Sequence, residues 1–314
     1  MAAVRIEGLR KVFGTLVALD NLSLTVEEGV VFGFLGPNGA GKTTTLRILT
    51  GLAHANSGQV WVGGKEITAN RHEIAQQIGY LPEDPAFYPW MTPGEFLDYV
   101  GRVFQIRAKE RSDRVKELIK LAGLEEAAKR HIGGFSRGMR QRLGLAQALF
   151  NRPQVLFLDE PASALDPAGR KEVLDFIDQL RGQSTVFMST HILADVERVC
   201  DTIGIINHGK LVIAAQRDAL VAKYAPPAFE VEVDAQTVER FLAWAEFVQH
   251  ESWAKSVSIH GLVARVNVSD VNAAKRELLA SITQAGLILT RYEIVHPSLE
   301  DVFLQLVGQE EVGK

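Results

Sequence analysis

The period of the apolar positions changes several times along the chain, and each change predicts a different element. Residues 4–13, "VRIEGLRKVF", and 18–29, "ALDNLSLTVEEG", alternate at period two, as half-buried strands do. "VVFGFL" at 30–35 is short and continuously apolar, which predicts a strand buried on both faces. It runs into a glycine-rich stretch and then a helical pattern, "TLRILTGLA", at 45–53, while residues 58–69 predict a strand and turn. From about Thr92 to Phe150 apolar residues recur at three- and four-residue spacing, so a helical subdomain is expected over 92–150. Buried strands return as "VLFLDE" (155–160) and "TVFMST" (185–190), with helices expected from Gly169 and after His191. The strands "TIGIINHG" and "KLVIAA" follow. Strands alternating with helices predict an α/β fold with a largely parallel core sheet and antiparallel strands at the front.

The adjacent prolines of "YAPPAF" (224–229) predict a linker, placed at 223–228 between a first domain over 1–222 and a second over 229–314. Beyond it the patterns read strand, helix, strand, strand, helix, strand, the order of a small α+β ferredoxin-like domain. A last helix is expected at 297–308, "PSLEDVFLQLVG".

Composition narrows the reading only slightly. With 314 residues, 46% hydrophobic and 23% charged, two globular domains are the natural expectation. A formal net charge of −4 gives no basic footprint, so no nucleic-acid partner is expected. One cysteine, Cys200, excludes an intrachain disulfide and a cysteine-based zinc cluster. His260 and His296 form no recognisable metal spacing. No apolar run is long enough to span a bilayer, and residues 1–14 lack a signal-peptide core, which leads us to expect a cytoplasmic location.

The candidate chemistry lies at the ends of the buried strands. "GPNGAGKT", from Gly36, Pro37, Asn38, Gly39, Ala40 and Gly41 to Lys42 and Thr43, with Thr44 following, matches G-x-x-x-x-G-K-[ST] between a strand and a helix. Such a loop turns successive backbone N–H groups toward one anion, and the helix N-terminus adds orphan donors of its own. Lys42 is expected on the β- and γ-phosphates and the Thr43 hydroxyl on Mg²⁺. Asp159, at the end of "VLFLDE", is a second Mg²⁺ candidate, and Glu160 the candidate general base. His191 follows a third buried strand and is expected near the γ-phosphate, since ligands of parallel sheets gather at carboxyl ends of strands. Alone, each of the last two has an ordinary structural alternative, a strand ending in acids or a turn histidine.

The phosphate loop, "SRGMRQR" ahead of "VLFLDE", "SALD" at 163–166 and His191 occur in an order that resembles the ATP-binding subunit of an ABC transporter. The resemblance covers roughly residues 4–220 and implies a P-loop ATPase fold that hydrolyses ATP with Mg²⁺. It also implies a head-to-tail dimer, of two such chains or with a similar subunit, in which each ATP is held between the phosphate loop of one chain and the signature motif of the other. Ser136, Arg137, Gly138 and Met139 would then face the partner's ATP, Asp166 would signal across the dimer, and Phe13 would stack on adenine. Two positions depart from the family pattern. The signature commonly reads Leu-Ser-Gly-Gly-Gln, where this chain has Phe135-Ser136-Arg137-Gly138-Met139. Glu83 stands where a glutamine is usual; an ionised carboxylate can ligate Mg²⁺ but cannot donate, so Glu83 is a metal or coupling candidate.

Further along, "DPAFYPWMTPGEF" (84–96) is rich in aromatics; in the family this neighbourhood receives a helix of the membrane subunit. The last ~90 residues resemble the accessory domain of export-type, drug-resistance ATPases of bacteria. Together the resemblances imply a subunit that powers a separately encoded permease, most simply an exporter, from the cytoplasmic face of the membrane. The rival within the same fold is a soluble ABC ATPase acting on ribosomes or DNA.

Overall fold

The computed structural model describes residues 2–163, 165–224 and 227–295, together with residues 299, 300, 302, 303 and 306; for Ala222 and Tyr224 it describes the backbone alone. Contacts divide the chain into two compact units, Met1–Arg217 and Asp218–Lys314.

In the first unit, β1 (Ala2–Phe13) pairs antiparallel with β2 (Leu16–Glu27) and with β4 (Ser57–Val62), and β5 (Lys65–Glu66) completes a sheet of order β2-β1-β4-β5. Alternation does what the sequence predicts: Val4, Ile6 and Leu9 are buried, while Arg5 and Glu7 are exposed. The second sheet contains β3 (Val31–Leu35), β6 (Ile78–Leu81), β7 (Val155–Asp159), β8 (Thr185–Thr190), β9 (Thr202–Asn207) and β10 (Lys210–Gln216). Its order is β10-β9-β3-β8-β7-β6, parallel throughout except for the antiparallel edge strand β10. Every residue of β3, β7 and β8 is buried, as continuous apolar runs require. Phe187 on β8 anchors this core, with its ring centroid 4.9 Å from Phe32, 5.4 Å from Phe34 and 5.8 Å from Phe157.

Helices α1 (Lys42–Leu49) and α2 (Arg71–Gln77) precede the helical region, which consists of α3 (Pro93–Val103), α4 (Ala108–Leu121) and α5 (Arg137–Ala148). Thr92 and Glu95 form a reciprocal capping box that starts α3, with Pro93 in its first turn. The buried Arg114 of α4 donates to the carbonyls of Leu149 and Phe150, satisfying orphan acceptors at the end of α5. Helices α6 (Pro167–Gln179) and α7 (Leu193–Val199) follow β7 and β8, and α8 (Arg217–Tyr224) starts at the last residue of this unit, its other residues belonging to the second.

The second unit has β11 (Ala228–Val233), α9 (Val238–Gln249), β12 (Ala254–His260), β13 (Val263–Val268), α10 (Val271–Gln284) and β14 (Leu289–Val295). The sheet order β12-β13-β11-β14, antiparallel throughout, is that of a ferredoxin-like domain. Phe229, Val231 and Val233 pack against Phe241 and Trp244 of α9 and Leu278 and Ile282 of α10.

Three details differ from the sequence expectation. Helix α2 and strand β6 were not expected; they have seven and four residues, too few to show a period. The boundary differs as well: the second unit begins at Asp218, within α8, and Lys223, Tyr224 and Ala228, expected in the linker, belong to α8 and β11. Of the expected last helix, most lies outside the described residues; Leu299 and Val302 within it are buried.

Candidate functional site

Strand order decides which sequence motifs meet. β3 lies beside β8, and β8 beside β7, with Leu35 opposite Thr190 and Ser189 opposite Asp159. Their carboxyl ends therefore deliver the loop 36–41, His191, and the Asp159–Glu160 pair to one edge. The loop curls because Gly41 adopts φ 108°, a region other residues avoid, and a Cβ at Gly36 would lie 2.3 Å from the Ile206 carbonyl oxygen. Gly41 caps α1 without a side-chain bond, so first-turn N–H donors remain open to an anion.

Lys42 is 6% exposed and folds back over this loop, donating through Nζ to the carbonyls of Gly36 (2.7 Å) and Pro37 (3.2 Å). Its Nζ also lies 3.3 Å from Glu160 Oε1. The other oxygen of Glu160, Oε2, is 2.9 Å from His191 Nδ1, with the ring nitrogen as donor. One buried carboxylate thus bridges the lysine of the first motif and the histidine of the third. Glu160 adopts φ 49°, left-handed for a residue with a side chain. That backbone is held by its N–H, which donates to Ser189 O (3.2 Å) and Ser189 Oγ (3.1 Å).

Asp159 Oδ1 accepts from Ser189 Oγ (2.6 Å) and Thr43 Oγ1 (3.2 Å). Burial pushes the Asp159 carboxyl above the usual carboxylate range; the two hydroxyl bonds oppose the shift, the Glu160 charge adds to it, and Lys42 opposes it. A hydroxyl and a carboxylate, both hard oxygen donors, at the foot of an anion loop fit Mg²⁺. Among the described residues no group of three or more His, Cys, Asp or Glu could hold a metal, so the remaining ligands of such an ion would be water and phosphate oxygens.

Lys42, Thr43, Glu160 and His191 line a cleft of about 510 Å³, to which Asn38, Gly39, Gly41, Thr44 and Glu83 also contribute. Phe13, Leu16 and Val17 form its apolar lip; Phe13 is half exposed, with Lys11 Nζ 4.7 Å from its ring centre. The structure does not bring the signature residues here. Ser136, Arg137, Gly138 and Met139 lie at the start of α5 and line no part of the cleft. Ser136 caps α5, accepting from the Met139 N–H at 3.2 Å, while Leu143, Ala146 and Phe150 are buried beneath it. Asp166 is the N-cap of α6 and makes no side-chain capping bond. The residue that sequence reasoning missed is Ser189, visible only as a polar ending to an apolar strand.

Comparison with known proteins matches this constellation to a family. Residues 19–163 match the ABC transporter family, and residues 218–307 match the C-terminal domain of DrrA1-3-like ATP-binding proteins. The ABC transporter ATP-binding protein YxlF of Bacillus subtilis is 40% identical over 302 residues, 96% of this chain and 98% of its own. The chain belongs to the ABC transporter ATP-binding proteins. The bacitracin transport ATP-binding protein BcrA of Bacillus licheniformis is 34% identical over 99% of both chains. The linearmycin resistance ATP-binding protein LnrL of Bacillus subtilis is 32% identical over 96% of this chain and 97% of its own. Among solved structures, an ATP-binding subunit of an ABC transporter superposes with TM-score 0.64 at 26% identity over 71% of this chain and 93% of its own. The cassette MJ0796, in a dimer bound to ADP and phosphate, superposes with TM-score 0.61 at 25% identity over 68% of this chain and 98% of its own. As an ABC ATP-binding subunit the chain binds and hydrolyses ATP, the activity characteristic of that family. No helix among its described residues is long and apolar enough to cross a membrane.

Proposed function

We propose that this ABC subunit hydrolyses ATP in a head-to-tail dimer and thereby drives export through a separately encoded permease on the cytoplasmic face of the membrane. The observation that carries the catalytic part is the contact of Glu160 with both Lys42 and His191. In this reading Phe13 and the apolar lip hold the adenine, and the N–H groups of the loop from Gly36 to Thr44 hold the phosphates. Lys42 leaves the Gly36 and Pro37 carbonyls for the β- and γ-phosphates. Thr43 and Asp159 hold Mg²⁺, with Glu83 at the cleft edge as a further ligand of the ion or its waters. Held by Thr43 and Asp159, Mg²⁺ would supply positive charge against the negative charge that develops on the phosphate. Glu160, freed from Lys42, takes the proton of the attacking water. His191, donating through Nδ1 to Glu160, orients that carboxylate.

Ser136 through Met139, at the start of α5, line no part of the chain's own cleft, which suits a role for them on the nucleotide of a partner, with Asp166 beside the same interface. Export is supported by the likeness to BcrA and LnrL along the full chain, including the C-terminal unit. A docking place for the permease is supported by an exposed aromatic cluster. Tyr88, Trp90 and Tyr99 are 40%, 65% and 43% exposed, and the Tyr88 ring meets both of the others, whereas Phe96 is buried against Phe87. Tyr88 and Tyr99, with Phe87 and Phe96, line an apolar cleft of about 570 Å³.

ATP turnover and oligomeric state of wild type and Glu160→Gln, with Mg²⁺, test the catalytic part. Wild type should turn over, while the variant binds ATP, stalls with a loss of about 10²- to 10⁴-fold, and accumulates as a dimer. Unchanged turnover in the variant rejects Glu160 as the base. For the coupling, the Trp90→Ser, Tyr99→Ser double variant should keep its turnover in solution and lose its association with membranes that contain the permease. Retained association would remove the aromatic cluster from the interface.

A further inference from the structure

Segments that the proposed function assigns to two different nucleotides meet at the first turn of α6. Gly138 at the start of α5 lies so near this turn that a Cβ on it would stand 3.9 Å from Gly169 Cα. A Cβ on Gly169 would in turn stand 2.8 Å from Asp166 Oδ1, so the Asp166 carboxylate lies over the same turn. The next residue, Arg170, donates through Nε to Asp195 Oδ1 at 2.6 Å. Asp195 belongs to the first turn of α7, which begins at Leu193, directly after the loop that carries His191.

The side chain of Asp195 is 2% exposed and that of Arg170 29%. Nothing in the hydrolytic mechanism uses either group, yet a buried carboxylate is costly to keep without a strong, well-oriented partner. The guanidinium supplies that partner with fixed planar geometry, so the pair sets the separation of the two helices rather than merely attracting them. Asp195 stands four residues beyond His191, at the start of the helix that the His191 loop enters.

We propose that Arg170 and Asp195 are positioning residues that fasten the helix following Asp166 to the loop carrying His191. The inference rests on the roles given above to His191 and Asp166. Arg170 touches no nucleotide in this arrangement. It acts through His191, whose reach to Glu160 is kept only while α6 and α7 are held in register. A displacement of α6, whose first turn also meets Gly138, is thereby felt at the chain's own histidine.

The test compares kcat, KM for ATP and unfolding midpoint in wild type, Arg170→Gln, Arg170→Lys, Asp195→Asn, His191→Ala and the Arg170→Gln, His191→Ala double variant. Arg170→Gln and Asp195→Asn should each lower kcat by about 10- to 100-fold, the scale of a misplaced catalytic group, with KM within about twofold. Arg170→Lys should recover part of that loss. In the His191→Ala background Arg170→Gln should add no further loss, because the group it positions is already gone. The inference is overturned if Arg170→Gln keeps the wild-type kcat, if its loss multiplies onto that of His191→Ala, or if kcat falls only as far as the unfolded fraction requires. Should Arg170→Gln fail to fold, the near-isosteric Asp195→Asn is combined with His191→Ala and judged by the same outcomes. Wild-type turnover in His191→Ala alone would instead remove the role given to His191, a result separable from any measured at Arg170.

Discussion

The two units solve the same packing problem, a sheet covered by helices, with opposite strand directions, and only one of them gathers chemistry. β3, β8 and β7 are parallel neighbours, so the segments that leave them emerge at one edge, carrying Lys42, His191 and the acidic pair. In the C-terminal sheet every neighbour is antiparallel, and adjacent carboxyl ends leave at opposite edges. Its charged groups stand on a sheet face instead. Arg291 is ringed by Glu230, Glu232 and Glu293 at 3.0, 3.2 and 3.0 Å, each of its three nitrogens donating to one of them. The first unit holds a buried lysine and glutamate that a ligand can pull apart; the second holds a solvated cluster already satisfied.

The comparison can be broken most forcefully by removing the same ring from each core. Phe187→Ala should cost about 3–5 kcal/mol, since Phe187 contacts three other rings beneath the site, and turnover should fall with it. Phe241→Ala, in the fully buried core of the second unit, should cost a similar amount there and leave turnover in place. Urea unfolding followed by two probes, ATPase activity and tryptophan fluorescence, checks this: the four tryptophans divide between the units, Trp61 and Trp90 in the first and Trp244 and Trp253 in the second. Loss of turnover in Phe241→Ala would mean that the units do not act separately.

Next in size is Lys42→Ala. It removes a cation from the anion loop and leaves Glu160 buried beside His191 alone. Turnover should fall about 10²- to 10³-fold, the cost of losing one preorganised group at a developing charge, and calorimetric titration should show weakened ATP binding. The C-terminal unit should unfold at an unchanged midpoint. A variant that binds ATP as tightly as wild type would mean that the backbone donors of the loop suffice.

How far these sites could be read in advance depended on the range of the signal. β3, β7 and β8 are continuous apolar runs ending in charged or polar residues, a local pattern, and the loop between β3 and α1 is a contiguous motif. The β-α-β-β-α-β order of the second unit was legible for the same reason: each element is long enough to show its period. The contact of Glu160 with His191 was not legible, because it depends on β8 lying between β3 and β7, and strand order leaves no trace in periodicity. Ser189 was hidden likewise; its bonds to Asp159 and to the Glu160 N–H follow from register across two strands. Nor could the ring of carboxylates around Arg291 be foreseen, since Glu230 and Glu232 come from β11 and pair with β14 some sixty residues later.

The smallest expected effect sharpens the same contrast. Arg291→Ala leaves Glu230, Glu232 and Glu293 side by side across two strands, and like charges directly opposite one another destabilise a sheet. Because Arg291 is 43% exposed, water and salt already weaken its bonds, so the unfolding midpoint of the second unit should fall only slightly at low ionic strength. Raising the salt to several tenths molar shortens the screening length to a few ångströms and should close the gap between variant and wild type. ATP turnover should not change at either salt concentration. A large, salt-independent loss would show instead that the cluster is shielded from solvent and braces the sheet; a loss of turnover would tie this face of the second unit to the catalytic cycle.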